Sequence, residues 1–155
     1  MTERRLPYRQ SLAGTLLAAR EAVMAPIRPL LREAGLTEQQ WRVLRVLVDE
    51  GDSDPSGLSQ AGLLYPPSVT RILKELDDRG LLARRPDPND GRRSLIAVTP
   101  KGRKLVEATS RKTSAPLNEY ATRFGAARLK ALQQELAELV VHIGPLSGGG
   151  KSEPD

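Results

Sequence analysis

The chain has 155 residues and 39% apolar content, enough for one compact domain with a buried core and too little for a long multidomain enzyme. It holds no cysteine, which excludes disulfide frameworks, thiolate metal sites and cysteine nucleophiles, and with His142 its one histidine neither a histidine-based triad nor a histidine-rich metal site within one chain is expected. No run of eighteen apolar residues occurs and the amino terminus lacks an apolar signal core, so with a net charge of +5 the expectation is a soluble, cytoplasmic, non-catalytic protein with no membrane partner, metal or cofactor.

Residues 1–10 and 145–155 read as flexible tails; Ser147-Gly148-Gly149-Gly150 offers nothing apolar to bury. Leu12, Leu16, Ala19, Val23, Ile27 and Leu30 recur at spacings of three and four, which predicts a long first helix over 11–34. Pro26 and Pro29 predict a kink or break within it. Leu36-Thr37-Glu38-Gln39-Gln40-Trp41 fits a capping box between Thr37 and Gln40, with Leu36 and Trp41 as hydrophobic staple, opening a helix that runs to Gly51. Asp54-Pro55 opens a short helix that halts at Gly62.

From Pro66 to Arg79, Val69, Ile72, Leu73 and Leu76 form an apolar stripe, with Thr70, Arg71, Lys74 and Asp78 on the other side. Residues 81–85 and 93–98 are strand candidates joined by a turn-rich segment, a hairpin with a basic tip. Thr99-Pro100 starts a further helix, which Pro116 is expected to bend. After Gly125, a seam of Leu129, Leu132, Leu136, Leu139 and Ile143 suits a helical partner.

The charge excess is local. Residues 66–104 carry ten Lys and Arg against five Asp and Glu, whereas the remainder carries fourteen of each sign. A confined basic surplus suits a polyanion, because each neutralised phosphate releases a counterion. A solvated basic face would explain the charge alone. Charge, helix order and basic hairpin together match a winged helix-turn-helix that binds double-stranded DNA. The fold expected is mainly α with a small β wing, residues 36–98 forming the DNA lobe between helical regions at 11–35 and 99–144. Ser68, Thr70, Arg71 and Lys74 are the candidates for groove contact. Arg92 is the minor-groove probe, Asp90 its ion-pair partner, and Arg93 a phosphate ligand. A winged-helix module that binds protein instead of DNA stays open.

The stretch from Leu36 to Lys104 resembles the MarR family of bacterial regulators, above all in the wing Arg85-Pro86-Asp87-Pro88-Asn89-Asp90-Gly91-Arg92-Arg93 and the exit Thr99-Pro100-Lys101-Gly102. Within it, Leu17-Ala18-Ala19-Arg20-Glu21-Ala22, Arg28-Pro29 and Leu36-Thr37-Glu38-Gln39-Gln40-Trp41-Arg42 resemble the HpaR-type repressors of homoprotocatechuate degradation. The resemblance implies a homodimer on a palindromic operator, released by a small aromatic or phenolic acid. It leaves a regulator of multidrug or phenolic stress response as the alternative. The apolar stripes of the first and last helices are compatible with a dimer, since the small winged lobe cannot cover them; mutual cover within a monomer is the other possibility. An effector carboxylate requires a cation, for which Arg20 is the candidate, with Trp41 as aromatic surface and Ser11 as hydroxyl donor. Each has a structural alternative: an ion pair for Arg20, core packing for Trp41 and a helix N-cap for Ser11.

Overall fold

Prolines and glycines cut the chain into its elements. The computed structural model describes residues 5–144; residues 1–4 and the expected tail 145–155 lie outside the described residues. Tyr8–Gln10, in the expected amino-terminal tail, form a 3-10 turn instead, because the Gln10 and Ser11 amides donate to the carbonyls of Pro7 and Tyr8 at 2.8 and 3.0 Å. Among the described residues seven α-helices and a two-stranded antiparallel sheet follow: α1 (Leu12–Met24), α2 (Ile27–Glu33), α3 (Glu38–Glu50), α4 (Pro55–Ala61), α5 (Pro66–Asp78), β1 (Leu82–Asp87), β2 (Asp90–Val98), α6 (Pro100–Phe124) and α7 (Ala126–Ile143).

The long first helix is two helices. Pro26 has no amide proton to continue α1, whereas Pro29 falls in the first turn of α2, where no intrahelical donor is required. The capping box at α3 is present in both halves: the Gln40 amide donates to Thr37 Oγ1, and the Thr37 amide to Gln40 Oε1, each at 3.1 Å. Leu36 and Trp41 flank it and are buried in the same core.

That core joins Val43, Leu44 and Leu47 of α3, Leu58 of α4, Val69, Ile72, Leu73 and Leu76 of α5, and Leu82 and Ile96 of the hairpin. Burying each such side chain stabilises the fold by about 1.5–3 kcal/mol. The lobe therefore positions the outer face of α5 rigidly. Ser53 and Ile96 exchange backbone hydrogen bonds at 2.7 and 3.1 Å, so the α3–α4 connection pairs with β2.

The wing differs from the expected hairpin. Its strands are longer and the turn is only Pro88-Asn89, held by the Asn89 amide donating to Asp87 Oδ1 at 2.9 Å. The register pairs Pro86 with Ser94 but Asp87 with Asp90, so residues 91–93 are extra on β2 and bulge at the tip. Behind the wing, Thr99 Oγ1 donates to the Gly80 carbonyl at 2.7 Å and accepts from the Gly102 amide at 3.1 Å, while Lys101 Nζ donates to the Arg79 carbonyl at 2.9 Å. A Cβ at Gly102 would meet the Leu81 backbone, so the exit motif is a close-packed clamp from the end of α5 to the start of α6.

The chain forms two compact units, divided between Thr113 and Ser114 inside α6. Three residues on, Pro116 removes the amide that would bond the Lys112 carbonyl. In the second unit no residue of α7 is buried: Leu132 is 43% exposed, Leu136 36% and Val141 75%. Arg128 lies over the Phe124 ring, 4.1 Å from its centroid. No helix among the described residues is long and apolar enough to cross a membrane.

Candidate nucleic-acid interface

Helix α5 turns Val69, Ile72, Leu73 and Leu76 into the core, which leaves Thr70, Arg71 and Lys74 on its exposed side and Ser68 half-buried. The expected groove residues therefore share one surface. Arg71 pairs with Glu75 and Lys74 with Asp78, each at 3.1 Å, along the same helix. Exposed pairs of this kind contribute little, about 0.3–0.5 kcal/mol, and yield readily to a phosphate. Glu75 also accepts from buried Gln40 at 2.9 Å, so the capping box of α3 is linked to Arg71 through one carboxylate.

On the wing one expectation is corrected. Asp90 does not pair with the Arg92 guanidinium; its Oδ1 accepts from the Arg92 backbone amide at 3.1 Å, because the bulge turns that amide back over the carboxylate. Arg93, expected to meet a phosphate, pairs with Asp54, which also caps α4 by accepting from the Gly57 amide at 2.7 Å. Arg85 is tied to Asp52 in the same way. The wing is thus pinned to the α3–α4 connection. Among the described residues, the guanidinium groups of Arg84 and Arg92 have no ion-pair partner and are exposed. Arg84 is a basic candidate that sequence reasoning missed; its only signal was membership of the Arg84-Arg85 pair.

The effector candidates separate. Ser11 is an N-cap: its hydroxyl donates to the Tyr8 carbonyl at 2.6 Å and accepts from the Gly14 amide at 3.1 Å. Trp41 is buried, with Arg45 over its ring at 5.5 Å from the centroid. Arg20 reaches α3 and bonds Glu38 at 2.8 Å. Arg28 completes a network that sequence reasoning missed, bonding Glu38 at 2.5 Å and Glu21 twice at 2.8 Å. These contacts hold both carboxyl groups below the ordinary glutamate range: hydrogen bonding from Arg28 dominates at Glu21 and from Arg20 at Glu38, against partial desolvation. Arg28 is pushed further upward by the same bonds, first by Glu21 and then by Glu38. Beside the network lies a cavity of about 210 Å³ lined by Arg28, Leu31, Arg32, Leu36, Thr37 and Glu38. Two guanidinium groups and two leucines there suit a small, partly apolar anion. Among the described residues no cluster of three or more metal-ligating side chains occurs.

Comparison with known proteins finds relatives over most of the chain. The model of the MarR family matches residues 34–93. The HTH-type transcriptional regulator FarR of Neisseria gonorrhoeae is 36% identical over 124 residues, 80% of this chain and 85% of that protein. The homoprotocatechuate degradative operon repressor of Escherichia coli is 32% identical over 130 residues, 84% and 88% of the two chains. NadR, solved in complex with 4-hydroxyphenylacetate, superposes with a TM-score of 0.78 at 33% identity, over 88% of this chain and 96% of that one.

Proposed function

Since the chain belongs to the MarR family of transcriptional regulators, we propose that it is a homodimeric repressor whose hold on a palindromic operator is released by a small aromatic acid, in control of aromatic catabolism. Two symmetry-related copies of α5 would enter major grooves about one helical turn, ~34–36 Å, apart, with Arg92 of each wing over the adjacent minor groove. The exposed apolar side chains of α1 and α7 supply the surface that a second copy would bury.

The observation that carries the effector reading is the pair Arg20 and Arg28 converging on Glu38 beside a cavity with leucine walls. A ligand carboxylate would replace Glu38 on these guanidinium groups while its ring fills the apolar part. Trp41, a core residue, and Ser11, the N-cap of α1, are not among the residues that line this cavity. NadR and the homoprotocatechuate repressor support phenylacetates as the ligand class by similarity. Because α1, α2 and α3 all meet at Glu38, exchanging its partners favours one arrangement of these helices over another. A coupling of about 1–3 kcal/mol would weaken operator binding roughly 5- to 150-fold.

Titration calorimetry with 4-hydroxyphenylacetate, homoprotocatechuate and salicylate tests the reading, followed by gel shift with the acid that binds. At least one acid should bind and release DNA from the wild type, and Arg20→Ala should bind it at least tenfold more weakly. Wild-type affinity in Arg20→Ala would overturn the assignment.

A further inference from the structure

The head of α5 is unusual for a helix aimed at a polyanion. Helix N-termini ordinarily present free amide donors that phosphates accept from. Here Pro66 and Pro67 occupy the first two helical positions and have no amide proton, and the Ser68 amide already donates to the Tyr65 carbonyl at 2.9 Å. Tyr65, at the N-cap, provides no side-chain cap. The backbone donors that would hold a phosphate at this end are missing or occupied.

What the same end offers is apolar surface. Leu63 is 83% exposed and Tyr65 72%, and both prolines are exposed. Leu63 is the one non-glycine residue at positive φ among the described residues, at 51°, a conformation in which leucine is disfavoured. Neither burial nor backbone preference accounts for a leucine there. A cleft of about 310 Å³ lined by Pro55, Ser56, Pro66, Val69 and Thr70, among others, extends this surface toward α4. One turn further along α5, Arg71 and Lys74 supply the charge that draws in a duplex.

We propose that the apolar knuckle of Leu63, Tyr65, Pro66 and Pro67 reads the 5-methyl groups of thymine in the major groove. The residues at the head of a recognition helix are those that reach base edges, and the thymine methyl is the apolar feature displayed there. The knuckle therefore selects A·T pairs by contact, while Arg71 and Lys74 bind through charge. This rests on the reading that α5 enters the groove.

The test uses the full chain and a duplex that it selects from a randomised pool, resynthesised with deoxyuridine in place of thymidine at each position in turn. That change removes one methyl and alters no hydrogen bond. Fluorescence anisotropy should show wild-type binding weakened about three- to fivefold at one or more positions, the value of one buried methyl. Tyr65→Ser and Leu63→Gly should lose that discrimination with the fold intact, since serine supplies an N-cap and glycine accepts the positive φ. No deoxyuridine effect in the wild type, or an undiminished one in both variants, would overturn the proposal. Arg71→Ala separates the two readings. If it binds as tightly as wild type, the placement of α5 in the groove fails; if it binds weakly while deoxyuridine has no effect, only the thymine reading fails.

Discussion

Asp54 and Arg93, 39 residues apart in the chain, join the wing to the first turn of α4: one oxygen of the Asp54 carboxylate caps the helix and the other takes the guanidinium. Substitution separates the two roles. Asp54→Asn keeps an N-cap and loses the ion pair, whereas Asp54→Ala loses both. Urea denaturation should show Asp54→Ala destabilised by about 1–2 kcal/mol, and Asp54→Asn by less than about 1 kcal/mol because Arg93 is largely exposed. Equal losses in the two variants would contradict the division.

In the proposed DNA complex, Arg71 and Arg92 are the cations expected to meet phosphates. Each alanine variant should weaken operator binding by about 1–3 kcal/mol while shifting unfolding by no more than about 0.5 kcal/mol, since both side chains are exposed. Glu75→Gln removes the carboxylate that competes for Arg71, so it should tighten binding and steepen its salt dependence. Gel shifts across a potassium chloride series measure both. Weaker binding by Glu75→Gln would show that Glu75 positions Arg71 productively instead of competing for it.

The network at Glu38 predicts an acid-sensitive junction. Glu21 and Glu38 have folded-state pKa values below the ordinary one, so their contribution is fully present above about pH 4.3 and is lost as the pH falls through the depressed folded values. Thermal melts of wild type and Glu38→Gln between pH 7 and 3 should differ by a constant amount down to that point and converge below it. A difference independent of pH would rule out the ion pairs as its source.

The seam of α7 should mark the dimer. Leu132→Lys combined with Leu136→Lys places two charges on exposed leucines that support no core within the chain, so the monomer should stay folded. Sedimentation equilibrium should give a mass near two chains for wild type and one for the variant, with operator affinity falling at least tenfold. A one-chain mass for the wild type would end the dimer reading.

Local features were readable from the residues because their causes are local. The Thr37–Gln40 box, the stripe of α5, the halt at Gly80 and the Thr99-Pro100 start each depend on neighbours within four residues, and the MarR likeness of the wing followed from contiguous sequence. The bulge that redirects Asp90 to a backbone amide depends on strand register, which the turn formers alone left ambiguous.

The sequence by itself determined which segments are helical, which side of α5 is buried, and that the basic excess falls on the helix and wing together. Tertiary structure alone decided which cations are already engaged: Arg93 by Asp54, Arg20 and Arg28 by Glu38, with Arg84 and Arg92 left unpaired. The physical reason is that a helix period or a cap is written into adjacent side chains, whereas an ion pair requires two distant segments to be brought within about 3 Å. The packing of the core, with Leu31 and Leu36 beside Glu38 and Leu58 and Ile96 beneath the wing, brings those segments together.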